Sequence, residues 1–263
     1  GKMNNTYFII FTMLALLLGI YFSGSKNIFL GDIVEKSYDG FYVLDVYGNV
    51  YVAGGARFSG DVDFDNKDAG DLEVTSEGYY ILDRYGKIYE FGDAEFYGDA
   101  NLEHAVDLEF AQDGYYVLDN GGLVLDYGSV RHYGNGKFKD YVDMEVVDDG
   151  YYLLTRNGKI ESFGTARFFG DFDDGDAIAL SATDHGYYAL ERNGAIHFFG
   201  GVNDYGYKIL DEPSARDIEA IPDGDGYYVL DGHGNTYSYF AAAGFPGPVY
   251  SEDVKYIDLE LIR

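Results

Sequence analysis

The chain has no cysteine and no tryptophan among its 263 residues. Without cysteine there is no disulfide framework and no thiolate metal site, and the redox compartment leaves no trace in the sequence. Proline is scarce at 4 residues, which argues against a Pro-rich linker or stalk. Cationic charge is also scarce: 18 Lys and Arg stand against 46 Asp and Glu, a net charge of −28. Phosphate backbones demand a basic surface, so nucleic acid is not an expected partner. The acidity fits cation binding, solubility at high salt or a plain solvated surface, and the last is the simplest reading.

Catalytic signatures are missing too. His104, His132, His185, His197 and His233 show no HExxH or other metal spacing. No G-x-S-x-G elbow exists, and Gly134–Lys137 lacks the rest of a phosphate-binding loop. The expectation is a non-enzyme with no catalytic residue and no resident cofactor, calcium excepted.

What is present is glycine and tyrosine, 36 and 28 residues. That glycine share is about twice the usual ~7%. Together they point to strands joined by tight turns. One six-letter run recurs: GFYVLD at 40, GYYILD at 78, GYYVLD at 114, GYYLLT at 150, GYYALE at 186 and GYYVLD at 226, at spacings of 38, 36, 36, 36 and 40. Each copy continues into an Asp-x-x-Gly type turn, then a second strand such as KIYEFG (87–92). A third short element follows: ARFSGD (56–61), AEFYGD (94–99), VRHYGN (130–135), ARFFGD (166–171). A fourth precedes the next copy: DLEVTS (71–76), DLEFAQ (107–112), DMEVVD (143–148).

Four short β segments per unit of about 36 residues make one blade of a β-propeller. A half-solvated strand alternates apolar and polar residues. In GYYVLD, Tyr116 and Leu118 point one way while Tyr115 and Val117 point the other, so both faces are buried. Blades sandwiched between blades meet that demand. The recurrent Tyr42, Tyr80, Tyr116, Tyr152, Tyr188 and Tyr228 are therefore read as structural, on the doubly buried inner strand of each blade. The predicted fold is an all-β, six-bladed β-propeller over residues 27–263, preceded by one hydrophobic α-helix within residues 1–26.

The ends of the repeat array suggest how the ring closes. The sixth copy has AAAGFPGP (241–248) in place of a clean third element, and an orphan copy, IFLGD (28–32, with Phe29 and Gly31), precedes the first. That orphan is expected to repair blade six, and IVEKS (33–37) to serve as blade one's fourth element. A surplus strand, DLELIR (258–263, with Asp258, Leu259, Glu260 and Leu261), is expected to close the ring or to add to a neighbouring subunit. Ring closure is preferred.

Carboxylates are the remaining candidates for chemistry. Asp61, Asp63, Asp65 and Asp68 in one loop, and Asp171, Asp173, Asp174 and Asp176 in another, are spaced like ligands of a hard cation such as Ca²⁺. A solvated acidic loop explains the same residues. The pairs Asp71/Glu73, Asp107/Glu109, Asp143/Glu145, Asp217/Glu219 and Asp258/Glu260 recur, with Ala179 and Ser181 breaking the pattern. They line a central channel if their strand is inner and are merely solvated if it is outer. Propeller edges are usually polar, and the outer placement is preferred.

The repeats resemble the short Gly-Tyr/Trp repeats of bacterial secreted and cell-surface proteins, which implies a propeller and says little about activity. Residues 7–22, YFIIFTMLALLLGIYF, are almost wholly apolar. This segment reads as a membrane anchor, a signal peptide or a helix packed against copies of itself. Ala15 and Gly19, four apart, would let such helices approach closely. A short polar start, an apolar helix and a large β domain resemble the type IV pilin plan, although Asn5 stands where pilins carry a glutamate. The resemblance implies a structural subunit of an extracellular filament. Its partner would be itself, its helix would sit in the membrane before assembly, and its acidic propellers would lie outside. The alternative is a membrane-anchored cell-surface propeller that binds a glycan, a protein or calcium.

Overall fold

A computed structural model describes residues 40–263, apart from 223, 224, 241, 243, 254 and 263. The apolar segment 7–22, Ala15, Gly19, Phe29, Gly31 and the stretch 33–37 lie outside the described residues. Among the described residues no helix is long and apolar enough to cross a membrane.

Among the described residues, eighteen strands form six antiparallel sheets of three strands each. The middle strands are the six-letter repeats, Gly40–Asp45, Gly78–Asp83, Gly114–Asp119, Gly150–Thr155, Gly186–Glu191 and Gly226–Asp231. A tight turn leads from each to an outer strand: Val50–Gly54, Ile88–Gly92, Val124–Gly128, Ile160–Gly164, Ile196–Gly200 and Thr236–Phe240. The inner strand of each sheet comes from the repeat before it. These are Tyr256–Leu261, Ala69–Val74, Ala105–Ala111, Tyr141–Val147, Ala177–Thr183 and Ala215–Ala220 for blades one to six. Each inner strand touches the next around a closed cycle of six.

Blade one takes its middle and outer strands from Gly40–Gly54 and its inner strand from the far end of the chain. Tyr256–Leu261 pairs with Gly40–Asp45, with Leu259 opposite Val43. The C-terminal strand therefore closes its own ring. This corrects the assignment of 33–37 to that place. It also corrects the strand roles: the tyrosine repeat is the middle strand of each sheet, and the Asp-Leu-Glu strand is the inner one, not the outer.

The middle strand is covered on both faces as its sequence requires. Tyr116 and Leu118 pack toward blade four, with Met144, Tyr151 and Leu153. Tyr115 and Val117 pack toward blade two, with Tyr80, Leu82 and Ile88. Burying each such side chain is worth about 1.5–3 kcal/mol, so six interlayer clusters of this kind hold the blades together. The glycine that opens each middle strand permits close contact with the outer strand. A Cβ on Gly114 would lie 1.9 Å from the Tyr127 carbonyl oxygen.

The turns behave as Asp-x-x-Gly predicts. Asp83 Oδ1 accepts the N–H groups of Tyr85 and Lys87, both at 2.9 Å, while Gly86 takes a φ of +82°. The third element is different from its expectation: ARFSGD and its copies form no strand. Each is instead an extended strap fixed by tyrosine hydroxyls. Tyr80 of the same repeat donates to the Glu95 carbonyl at 2.7 Å, and Tyr115 of the next donates to the Gly98 carbonyl at 2.8 Å. The same double fastening recurs at Tyr116 and Tyr151, and at Tyr152 and Tyr187. Burial pushes the Tyr115 phenol up to about 12, so it stays a donor at any ordinary pH. At the seam Phe41 replaces the donating tyrosine and packs on Phe245 and Tyr228, with ring centroids 5.9 and 6.0 Å apart.

Candidate functional site

The inner strands leave one edge facing the axis, where no further strand can pair with their N–H groups. Unpaired buried amides are costly, so acceptors must come from side chains. The Asp-Leu-Glu motif supplies them. Asp258 accepts the Leu72 N–H at 2.7 Å, Asp71 that of Leu108 at 3.0 Å, and Asp217 that of Leu259 at 2.9 Å. Asp107 and Asp143 do the same for Met144 and Leu180. Glu73 accepts the Phe110 N–H at 3.0 Å and Ser181 the Ala220 N–H at 2.9 Å. Each bond crosses from one blade to the next. Where Ala179 interrupts the motif, the Ile218 N–H turns to its neighbour Asp217 at 2.8 Å.

The five aspartates and Glu109, Glu145, Glu219 and Glu260 enclose a cavity of about 20 Å³, room for about one water. Burial is the main force on these groups, and mutual repulsion adds to it. Asp71, Asp143 and Asp258 are held well above the usual carboxylate range, Asp71 by burial and then by the charges of Asp107 and Asp258. Burial raises Asp107 less, because Asp143, Asp71 and the Met144 amide bond to it. Asp217 is pushed up to about 6 by burial, against bonds from Leu259 and Asp258. The aspartates thus sit close enough for each to influence its neighbours' protonation: Asp71 and Asp143 act on Asp107, and Asp258 on Asp217.

One residue earlier, every inner strand carries a β-bulge. Bulges re-aim a side chain without breaking the sheet. The bulged residues are Gly70, Val106, Val142, Ile178, Arg216 and Ile257, and all six line a cavity of about 470 Å³ at this mouth of the axis. Five form an apolar or open floor. The sixth puts a guanidinium into it.

A second tier comes from the residue that follows each middle strand. These are Val46, Arg84, Asn120, Arg156, Arg192 and Gly232, each donating its N–H to a partner on the preceding loop: Lys255, Asp68, His104, Asp140, Asp176 and Ser214. Lys67, Arg84, Arg156, Arg192 and Arg216 all line the cavity. Arg192 Nε meets Asp176 at 3.0 Å, Arg156 meets the same carboxylate at 3.6 Å, and Arg84 meets Asp68 at 3.7 Å. Arg216 donates to the Ala215 carbonyl at 2.7 Å. Burial and then the nearby Arg192 charge lower its pKa, against the opposing charges of Asp231 and Asp176. In a chain of net charge −28, five cations against one carboxylate, Asp140, in the lining of this mouth are a local reversal of sign.

Sequence reasoning missed this mouth. The signal was an arginine in a column that is otherwise apolar or glycine, residues 70, 106, 142, 178, 216 and 257, but nothing in the sequence said that this column faces the axis. Several of the loop carboxylates proposed for calcium are engaged by cationic side chains. Asp171 and Asp173 share the Lys159 ammonium at 3.5 and 2.5 Å, while Asp68 and Asp176 hold arginines. Among the described residues no group of three or more His, Cys, Asp or Glu is arranged to hold a metal ion. Asp258, Leu259, Glu260 and Leu261 are brought together in the closing strand.

No protein-family profile and no curated protein sequence matches the chain. Solved structures do. A chain of the nidogen–laminin complex is similar over 84% of this chain and 97% of its own, with 10% identity and a TM-score of 0.58. The WD40 β-propeller domain of Doa1 is similar over 86% of this chain and 84% of its own, with 10% identity and a TM-score of 0.56. At such identity the likeness shows the fold alone: the chain is a β-propeller.

Proposed function

We propose that this protein is a non-catalytic binding propeller, displayed at a cell surface by its apolar N-terminal segment and engaging its ligand at the arginine-bearing mouth. One observation carries the reading. The repeats agree where they build blades, in the tyrosines, the turns and the aspartate ring, and they diverge around that mouth. Selection for architecture alone has no use for arginine at one bulge and apolar residues at four others. Propellers commonly place function where strands and loops from all blades converge.

The test is a thermal-shift and array screen of the full chain in detergent, against neutral glycans, acidic glycans and small organic acids. A ligand that raises Tm in the parent and fails to do so in an Arg84→Gln/Arg156→Gln/Arg192→Gln variant supports the reading. If no ligand class shifts the parent, binding is not its role.

The filament subunit is the second reading, favoured by the segment 7–22 with its Ala15 and Gly19 pair. The C-terminal strand is spent on its own ring, so assembly would fall to that segment alone. Negative-stain images of native surface material would separate the two: dispersed particles that never polymerise would end the filament reading.

A further inference from the structure

The mouth has two kinds of surface, and their juxtaposition specifies a ligand more narrowly than charge does. Its floor is apolar, made by Val106, Val142, Ile178 and Ile257. Its rim carries the guanidinium groups of Arg156 and Arg192 and its floor that of Arg216, supplied by three successive blades. Arginine forks match the planar geometry of carboxylate and the oxygens of phosphate. The volume, about 470 Å³, lies within the range of small-molecule pockets, roughly 300–1,000 Å³.

The asymmetry adds direction. Arg84 and Arg156 already touch Asp68 and Asp176, and Arg192 shares Asp176. Two arginines on one carboxylate leave donors over. Arg216 adds a further guanidinium on the floor itself, bonded to a backbone carbonyl. An anion seated beside Arg216 and Arg192 would balance both and rest its body on the apolar residues opposite. We infer that this mouth binds a small amphipathic organic anion, a carboxylate or phosphate head on a compact apolar body, with Arg216 and Arg192 on the head and Val106, Val142, Ile178 and Ile257 under the body. This rests on the binding-propeller reading and names the chemical class of its ligand.

Calorimetry on the full chain tests it with four probes: inorganic phosphate for the head, hexanol for the body, and hexanoate and hexyl phosphate for both. Hexanoate or hexyl phosphate should bind at one saturable site at least about tenfold tighter than either fragment, a difference of about 1.4 kcal/mol. Whichever of the two is tighter identifies the head. Arg216→Gln should weaken that binding about tenfold or more. Arg131→Gln, whose guanidinium stacks over Tyr133 at 5.6 Å on the strap of blade three, should leave it unchanged. Should Arg216→Gln fail to fold, Arg192→Gln, nearer the rim, serves in its place with the same expected loss. No saturable binding of either amphipathic probe up to about 10 mM, or binding indifferent to both substitutions, overturns the inference. A neutral glycan that binds the parent and the Arg216→Gln variant equally would overturn it while leaving the binding-propeller reading intact.

Discussion

Two levels of the same axis lie one residue apart along each inner strand, and they are built on opposite principles. The lower is a ring of aspartates, repeated in five of six blades, buried, mutually repelling and bonded to backbone amides. The upper is a mouth where the six blades present glycine, valine, isoleucine or arginine at one equivalent position. The ring's polar groups answer a debt created by the fold, since a circle of inner strands leaves amides that no strand can pair. The mouth's arginines answer no such debt. Repetition therefore marks the structural carboxylates, and divergence marks the candidate site.

The sharpest way to break this picture is to open the circle. Deleting residues 256–263 removes blade one's inner strand and, with it, the acceptor for Leu72. Loss of the cooperative thermal transition is expected; a soluble, folded and still monomeric product would contradict closure by this strand.

A single ring residue comes next. Asp143→Ala leaves the Leu180 N–H without its acceptor, a cost of about 1–3 kcal/mol measured by urea denaturation. Removing Tyr115's hydroxyl with Tyr115→Phe should cost about 1 kcal/mol, because the Gly98 carbonyl loses its donor at 2.8 Å. Phe41 is the natural version of that change, at the seam.

The ring also predicts the direction of pH dependence. Its aspartates have folded pKa values above the unfolded one, so the folded state binds more protons. The stability they contribute is fully present below about pH 4 and declines as pH rises through the folded values, about 6 for Asp217, with Asp71, Asp143 and Asp258 also held well above the usual carboxylate range. Each carboxyl accounts for up to about 1.4 kcal/mol per pH unit within its window. General charge repulsion acts in the same direction, so Asp143→Asn is the informative control. It keeps an acceptor for Leu180 while removing a titrating group, and it should flatten the fall in Tm as pH rises above about 4. An unchanged slope would mean that Asp143 is not a proton store.

The smallest expected effect sharpens the contrast from the other side. Arg192→Gln should move stability by no more than about 0.5 kcal/mol, the usual range for a partly exposed ion pair. If it cost as much as Asp143→Ala, the mouth would be structural and the division between the two levels would fail.

Much of the architecture was legible because the repeat is strict. Apolar residues on both faces of GYYVLD imply a strand buried between layers, and six copies imply six such layers. The Asp-x-x-Gly turn was readable for the same reason: one carboxylate near two amides and one glycine at positive φ are local requirements. The third element misled, since ARFSGD looks like a strand but is held by tyrosine hydroxyls and not by a ladder. The Asp-Leu-Glu strand misled too. A strand rich in carboxylates suggests solvent, and only the orphaned amides of a closed circle make it an inner strand.

Sequence alone settles the blade count, the burial of the tyrosine strand and its hairpin, because these depend on periods of two and about thirty-six that any reader of the chain can count. Which strand faces the axis, which end closes the ring and which column of residues meets at the mouth depend on contacts between blades. Those contacts join residues such as Asp258 and Leu72, or Asp217 and Leu259, that are remote in sequence. Periodicity carries no information about a relation that exists only when the circle is closed. Tertiary structure supplied it by turning a bulge at each inner strand toward a common axis.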